Sequence, residues 1–92
     1  MPKLLVTEHY EKRLELFKKQ HPQLRSAYAR TILLLASNPN HPSLRLHKLK
    51  GSLAEFYSIS INLKYRILID FFIREDQIIL IDIGNHREMY GE

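Results

Sequence analysis

From Tyr57 to Leu63 apolar and polar residues alternate without a break, Tyr57, Ile59, Ile61 and Leu63 against Ser58, Ser60 and Asn62. A period of two is the mark of a strand with one buried face. The pattern resumes from Tyr65 to Ile73, with Ile67, Ile69, Phe71 and Ile73 on one side and Arg66, Leu68, Asp70 and Phe72 on the other. Arg74-Glu75-Asp76-Gln77 reads as a polar turn, and Ile78 to Ile83 as a third strand ended by Gly84. Opposed side chains on antiparallel neighbours share a face, and a one-residue slip flips them all, so the register can be argued from chemistry. A loop of Leu63-Lys64 alone sets Ile61 against Arg66 and mixes the faces. A loop of Asn62-Leu63-Lys64 sets Ser60 against Arg66 and Ile59 against Ile67, and is preferred. Across the next turn the same logic sets Asp70 opposite Leu80 and Arg66 opposite Gly84. One face then carries Ile59, Ile61, Ile67, Ile69, Ile79, Ile81 and Ile83. The other carries Ser58, Ser60, Asn62, Arg66, Asp70, Asp82 and, where the alternation continues, His86. It is expected to be an open polar surface with a basic centre.

The isoleucine face needs a cover, and the first half of the chain supplies one. Leu4-Leu5-Val6 is a short run of strand type. Thr7 is a good helix N-cap, and Glu8 behind it suits the positive end of a helix. Tyr10, Leu14 and Phe17 then fall on one helical face. His21-Pro22 restarts the pattern, since proline is tolerated in a first turn. Leu24, Ala27, Tyr28, Thr31, Leu34 and Leu35 form a second stripe, which stops at Ser37-Asn38-Pro39. Helices are therefore expected near 8–20 and 22–37, antiparallel because so few residues join them. A loop from Asn38 to Ser43 leads into the basic stretch Arg45-Leu46-His47-Lys48-Leu49-Lys50 before Gly51.

The chain has 92 residues and reads as one α+β domain, 1–92. It has no cysteine, which excludes a disulfide scaffold, a thiolate zinc site and cysteine catalysis, and which fits a reducing, cytoplasmic compartment. No apolar run is long enough to span a membrane, and the apolar start is too short for a signal-peptide core. Fourteen lysines and arginines against ten acids leave a net charge of +4, with five histidines besides. That balance leans toward a polyanionic partner. His9, His21 and His41 have no partner at metal-ligand spacing and read as surface residues, so no metal and no cofactor are expected.

Three pieces in order, Leu46-His47-Lys48-Leu49-Lys50-Gly51, Lys64-Tyr65-Arg66-Ile67-Leu68-Ile69 and Gly84-Asn85-His86-Arg87-Glu88-Met89-Tyr90, resemble the RelE/ParE toxin superfamily over nearly the whole chain. The tail looks most like the RelE, YoeB and YafQ ribonuclease branches. The chain departs from YafQ-like members in having Ser60 and Lys64 where those carry further His and Asp residues on the strand hairpin.

The resemblance implies a βααβββ order, with a helical hairpin packed on one face of a small antiparallel sheet. It implies the toxin of a type II toxin–antitoxin pair, an endoribonuclease cutting mRNA at the ribosome. The implied partners are a cognate antitoxin, the ribosome and mRNA, and operator DNA through the antitoxin complex. The catalytic positions carried over are Arg66, His86, Tyr90, Lys48 and Lys50. Arg45, His47, Lys64 and Arg87 are the expected contacts to RNA phosphates. Two alternatives stand beside this. The ParE branch shares the fold and poisons DNA gyrase, and a degenerate homologue would serve only to bind an antitoxin.

The residue types suit the chemistry. RNA is cut when its own 2′-OH attacks the neighbouring phosphate, which takes proton transfer and cations but no metal. Histidine exchanges protons most readily near neutral pH. Arginine offers a planar fork of donors to phosphate oxygens, and lysines add charge. Tyrosine can stack on a base or pass a proton. Read alone, Arg66 would equally pair with Asp70 or Asp82, His86 would be an exposed loop residue, and Lys48 and Lys50 a solvated edge. Asp70 and Asp82 are expected to support Arg66 rather than to form a catalytic carboxylate pair.

Overall fold

In the computed structural model, which describes residues 2–90, the alternating stretches form the middle of a five-stranded sheet. The elements are β1 (Lys3–Val6), α1 (Glu8–Gln20), α2 (Arg25–Ser37), β2 (His47–Lys48), β3 (Tyr57–Ser60), β4 (Tyr65–Phe72), β5 (Gln77–Asn85) and α3 (His86–Tyr90), with short 3₁₀ turns between several of them. The strand order is β1-β5-β4-β3-β2. Neighbours are antiparallel except β1, which pairs in parallel with β5, Lys3 against Gln77 and Val6 against Leu80. The fold class is α+β, as expected from sequence. The sheet is mixed rather than purely antiparallel, because the chain passes through two helices before it returns beside its own first strand.

The caps lie where the sequence puts them. Thr7 is extended (φ −88°, ψ 159°), and its Oγ1 accepts the Tyr10 N–H at 3.0 Å, which starts α1 at Glu8. Lys18 and Lys19 close α1 in its last turn, where cations are favoured. Pro22 opens a 3₁₀ turn, Pro22–Leu24, that leads into α2. His21 is not a surface residue. It is half-buried, with its ring 5.0 Å from Phe17 and 4.5 Å from Tyr65.

The β3–β4 register is the one argued from face chemistry, Ser60 against Arg66 and Ile59 against Ile67. Between β4 and β5 it holds only in part. Arg66 faces Gly84 as expected, but Asp70 faces Ile79 rather than Leu80. A bulge lies between Leu68, opposite Asp82, and Ile69, opposite Leu80, so Ile81 is an extra residue on β5. A bulge adds one residue to one strand and reverses its parity beyond that point. Ile78 and Leu80 are therefore buried, while Ile79 and Ile81, expected in the core, are half-buried. β4 also ends at Phe72, one residue earlier than read from sequence, and a 3₁₀ turn, Ile73–Glu75, follows.

The core joins Tyr10, Phe17 and Leu35 of the helices to Ile59, Ile67, Ile69, Ile78 and Ile83 of the sheet. A polar contact ties the two helices of the hairpin together. The hydroxyls of Tyr10, fully buried, and Tyr28, half-buried, lie 2.7 Å apart. Burial first, and then the proximity of Tyr28, push the Tyr10 hydroxyl above the ordinary tyrosine range. Burial also raises Tyr28, and its hydrogen bond with Tyr10 partly offsets this. A raised folded-state pKa gives stability that is complete below the unfolded value, about 10 for tyrosine, and is lost as pH rises beyond it. Stability, followed by circular dichroism in urea, is therefore expected to fall above about pH 10. Tyr10→Phe should cost about 1 kcal/mol at pH 7 and soften that alkaline loss. An alkaline loss unchanged in Tyr10→Phe would remove this pair as its source.

Candidate functional site

Arg66 stands in a cross-strand row between Ser60 of β3 and Gly84 of β5. By the same pairing its face also carries Ser58, opposite Leu68, and His47 of β2, opposite Ser58. This face is not open. Ser58 is fully buried, and Ser60 and Leu68 are nearly so.

The cover is α3, which the sequence reading missed. β5 continues only to Asn85, and the helix begins at His86, so the strand alternation does not extend to His86. Asn85 and Glu88 form a reciprocal capping box. The Asn85 N–H donates to Glu88 Oε1 at 2.9 Å, and the Glu88 N–H donates to Asn85 Oδ1 at 2.8 Å. Gly84 fixes the close approach. A Cβ there, pointing to the Arg66 face, would lie 3.1 Å from Glu88 Oε1 and 3.2 Å from Glu88 Cβ. α3 thus folds back over the face that carries Arg66, packing on β5 and β4.

His86 and Tyr90, four positions apart, lie on one side of α3, their rings edge to face with centroids 4.4 Å apart. They line a cleft of about 290 Å³ together with Leu49, Lys50, Ser52 and Leu53 from the β2–β3 connection. The basic segment and the tail, 36 positions apart at Lys50 and His86, therefore meet in space.

The expected support for Arg66 is absent. Asp82 lies 3.5 Å from Arg13 Nε and 3.4 Å from His9 Nε2, both on α1, and among the described residues no ion pair involves Arg66. The bulge next to Asp82 marks where the polar face, as read from alternation, breaks down. Among the described residues Arg66 Nη1 is buried without a hydrogen-bond partner, and so are the hydroxyls of Ser58, Ser60 and Tyr90. Buried polar groups are paired in the great majority of cases, and each unpaired one costs about 1–3 kcal/mol. Three of these groups lie on one sheet face, and the fourth is on the helix packed over that face.

The other candidates are more scattered. Lys48 is opposite Tyr57, on the side of the sheet that carries Ile59 and Ile67, so the pairing puts His47 rather than Lys48 on the Arg66 face. His47 is exposed, and its Nδ1 lies 3.0 Å from the Arg45 carbonyl oxygen. Arg45 is exposed in a left-handed turn (φ 49°). Lys64 sits in the β3–β4 turn with its Nζ 5.5 Å from the centre of the Tyr65 ring. Arg87 is exposed on α3. Sequence reasoning placed Ser58 on the Arg66 face and Gly84 opposite Arg66, but missed Glu88 and Arg13 as parts of the site. The Asn85-x-x-Glu88 spacing was the available signal for the helix. Among the described residues no three acidic or histidine side chains gather where a metal could be held. No helix among them is long and apolar enough to cross a membrane.

The arrangement of helices, sheet and capped tail is the fold of the RelE/YoeB/YafQ-like toxins. YafQ from E. coli superposes with a TM-score of 0.83 at 14% identity, over 99% of this chain and 100% of its own. A YoeB/ParE toxin from Agrobacterium tumefaciens gives a TM-score of 0.75 at 18% identity, over 91% and 98%. A chain of the E. coli DinJ-YafQ toxin-antitoxin complex gives 0.73 at 17%, over 98% of each chain. No family model and no curated protein sequence matches. What these structures share with the chain is its fold.

Proposed function

We propose that the chain is the toxin of a type II toxin–antitoxin pair and that it cuts mRNA at the ribosome without a metal. The observation that carries this reading is the buried, unpaired Nη1 of Arg66 on the face over which α3 folds, with His86, Tyr90 and Lys50 gathered at the adjacent cleft. The likeness in fold to YafQ and to a chain of the DinJ-YafQ complex supports both halves of the proposal, the activity and the antitoxin partner.

In the proposed reaction the 2′-OH attacks the adjacent phosphorus and releases its proton to solvent water, the 2′ O–P bond forms and the bond to the 5′ oxygen breaks, leaving a 2′,3′-cyclic phosphate and a free 5′-OH. Arg66 donates N–H bonds to the non-bridging oxygens, where charge develops in the transition state. His86 gives a proton to the leaving 5′ oxygen. Lys50 adds positive charge at the rim, and Tyr90 stacks on a neighbouring base.

The test is translation-coupled. Purified protein added to a translating extract is expected to produce discrete breaks in mRNA, mapped by primer extension, and few breaks when ribosomes are omitted. Expressed alone it should stop growth, and a small protein encoded beside it should co-purify and relieve the arrest. No cleavage with growth arrest intact would favour gyrase poisoning. Neither effect would leave an antitoxin-binding module.

A further inference from the structure

A five-residue helix cannot hold itself, because nucleation costs more than so few hydrogen bonds return. Yet α3 carries both His86 and Tyr90. Beside its own capping box and its packing on the sheet, it is tied by polar contacts to another element. Arg13, in the middle of α1, reaches two carboxylates, with Nε 3.5 Å from Asp82 Oδ1 and Nη2 3.4 Å from Glu88 Oε2. The two oxygens of Glu88 are divided. Oε1 accepts the Asn85 N–H within the capping box, and Oε2 faces Arg13. Asp82 is itself held, since its Oδ1 accepts the Ile83 N–H at 2.8 Å and lies 3.4 Å from His9 Nε2. Glu88 is two residues from both His86 and Tyr90, so it lies across the helix from them. One side of α3 is tied to α1, and the other faces the Lys50 cleft.

We propose that Arg13 and Glu88 are positioning residues, through which α1 sets the orientation of α3 and so places His86 and Tyr90 relative to Arg66. Their effect on catalysis rests on the ribonuclease reading, while their effect on α3 does not. The fork of an arginine can bridge both carboxylates, whereas a lysine presents a single point charge.

The experiment reads the helix directly. The Tyr90 ring, edge to face with His86, shifts the resonances of the His86 ring protons, and Tyr90→Leu defines the value without that ring. In Arg13→Met and Glu88→Gln, each checked for folding by circular dichroism, most of this shift is expected to vanish. Arg13→Lys should restore only part of it, and the double variant should lose no more than either single one, because the two act as a pair. Glu88→Gln keeps an acceptor for the Asn85 N–H, so it separates the clamp from the cap. In the cleavage assay kcat is expected to fall about ten- to a hundredfold with KM unchanged, the scale of a misplaced catalytic group. Full retention of the His86 shift in folded Arg13→Met and Glu88→Gln overturns the proposal. A shift that depends on both residues in a protein that cuts no RNA upholds the positioning and overturns the ribonuclease reading instead.

Discussion

Arg66→Ala and His86→Ala are each expected to lower ribosome-dependent mRNA cleavage by about two orders of magnitude. The estimate for Arg66 follows from its surroundings. Among the described residues its Nη1 has no hydrogen-bond partner, so no existing bond must be given up before it donates to a phosphate. A donor freed from water acts more strongly on developing charge than one exposed to it. The estimate for His86 follows from the role proposed for it, since removing a positioned general acid typically costs about 10²–10⁴-fold. Both variants should fold. Among the described residues no ion pair of Arg66 is broken, and His86 is exposed. Primer extension on a translating extract, run beside circular dichroism of each variant, measures the effect. Full cleavage by a folded Arg66→Ala/His86→Ala double variant would place the chemistry elsewhere.

The largest effect on stability is expected at Ile67. It is fully buried in β4, between Ile59 of β3 and Ile83 of β5. Ile67→Ala should cost about 3 kcal/mol, the removed apolar atoms plus the cavity they leave. That is a large share of the roughly 5–15 kcal/mol that holds a domain together. The melting temperature should fall by about 12–24 °C for a chain of this length. Thermal and urea melts report it directly. A loss of less than about 1 kcal/mol would mean that the face under the helices relaxes freely, against the packing described.

The same isoleucines show how much was legible beforehand. Ser60 opposite Arg66 and Ile59 opposite Ile67 followed from alternation, because β3 alternates cleanly and a slip would have buried an arginine among isoleucines. β5 gave no such guidance. Ile78-Ile79-Leu80-Ile81 is apolar at both parities, so nothing in it marks where the bulge inserts a residue. Arg66 opposite Gly84 was recoverable because it lies on the near side of that bulge. The helix at the tail was within reach, since Asn85 and Glu88 have capping-box spacing, but His86 was read as continuing the strand. The loss of Asp82 to α1 was not legible. It depends on Arg13, whose proximity to β5 only the packed helix reveals. The roles of Lys48 and His47 likewise turn on the pairing of a two-residue edge strand, too short to leave a periodic trace.

The parallel pairing of β1 with β5 bears on the order in which the molecule comes into being. Lys3 finds its partner only at Gln77, so this edge of the sheet waits for β5, the last of the five strands described. Contacts so distant in sequence are slow to close, because the chain entropy is lost before the pairing gives anything back. The row that holds Arg66 is completed by the same strand, at Gly84, and roofed by the helix after it. A chain made only as far as residue 76 holds the segments of both helices and of β3 and β4, but neither β5 nor α3. Residues 77–90 alone thus complete the face that carries Arg66.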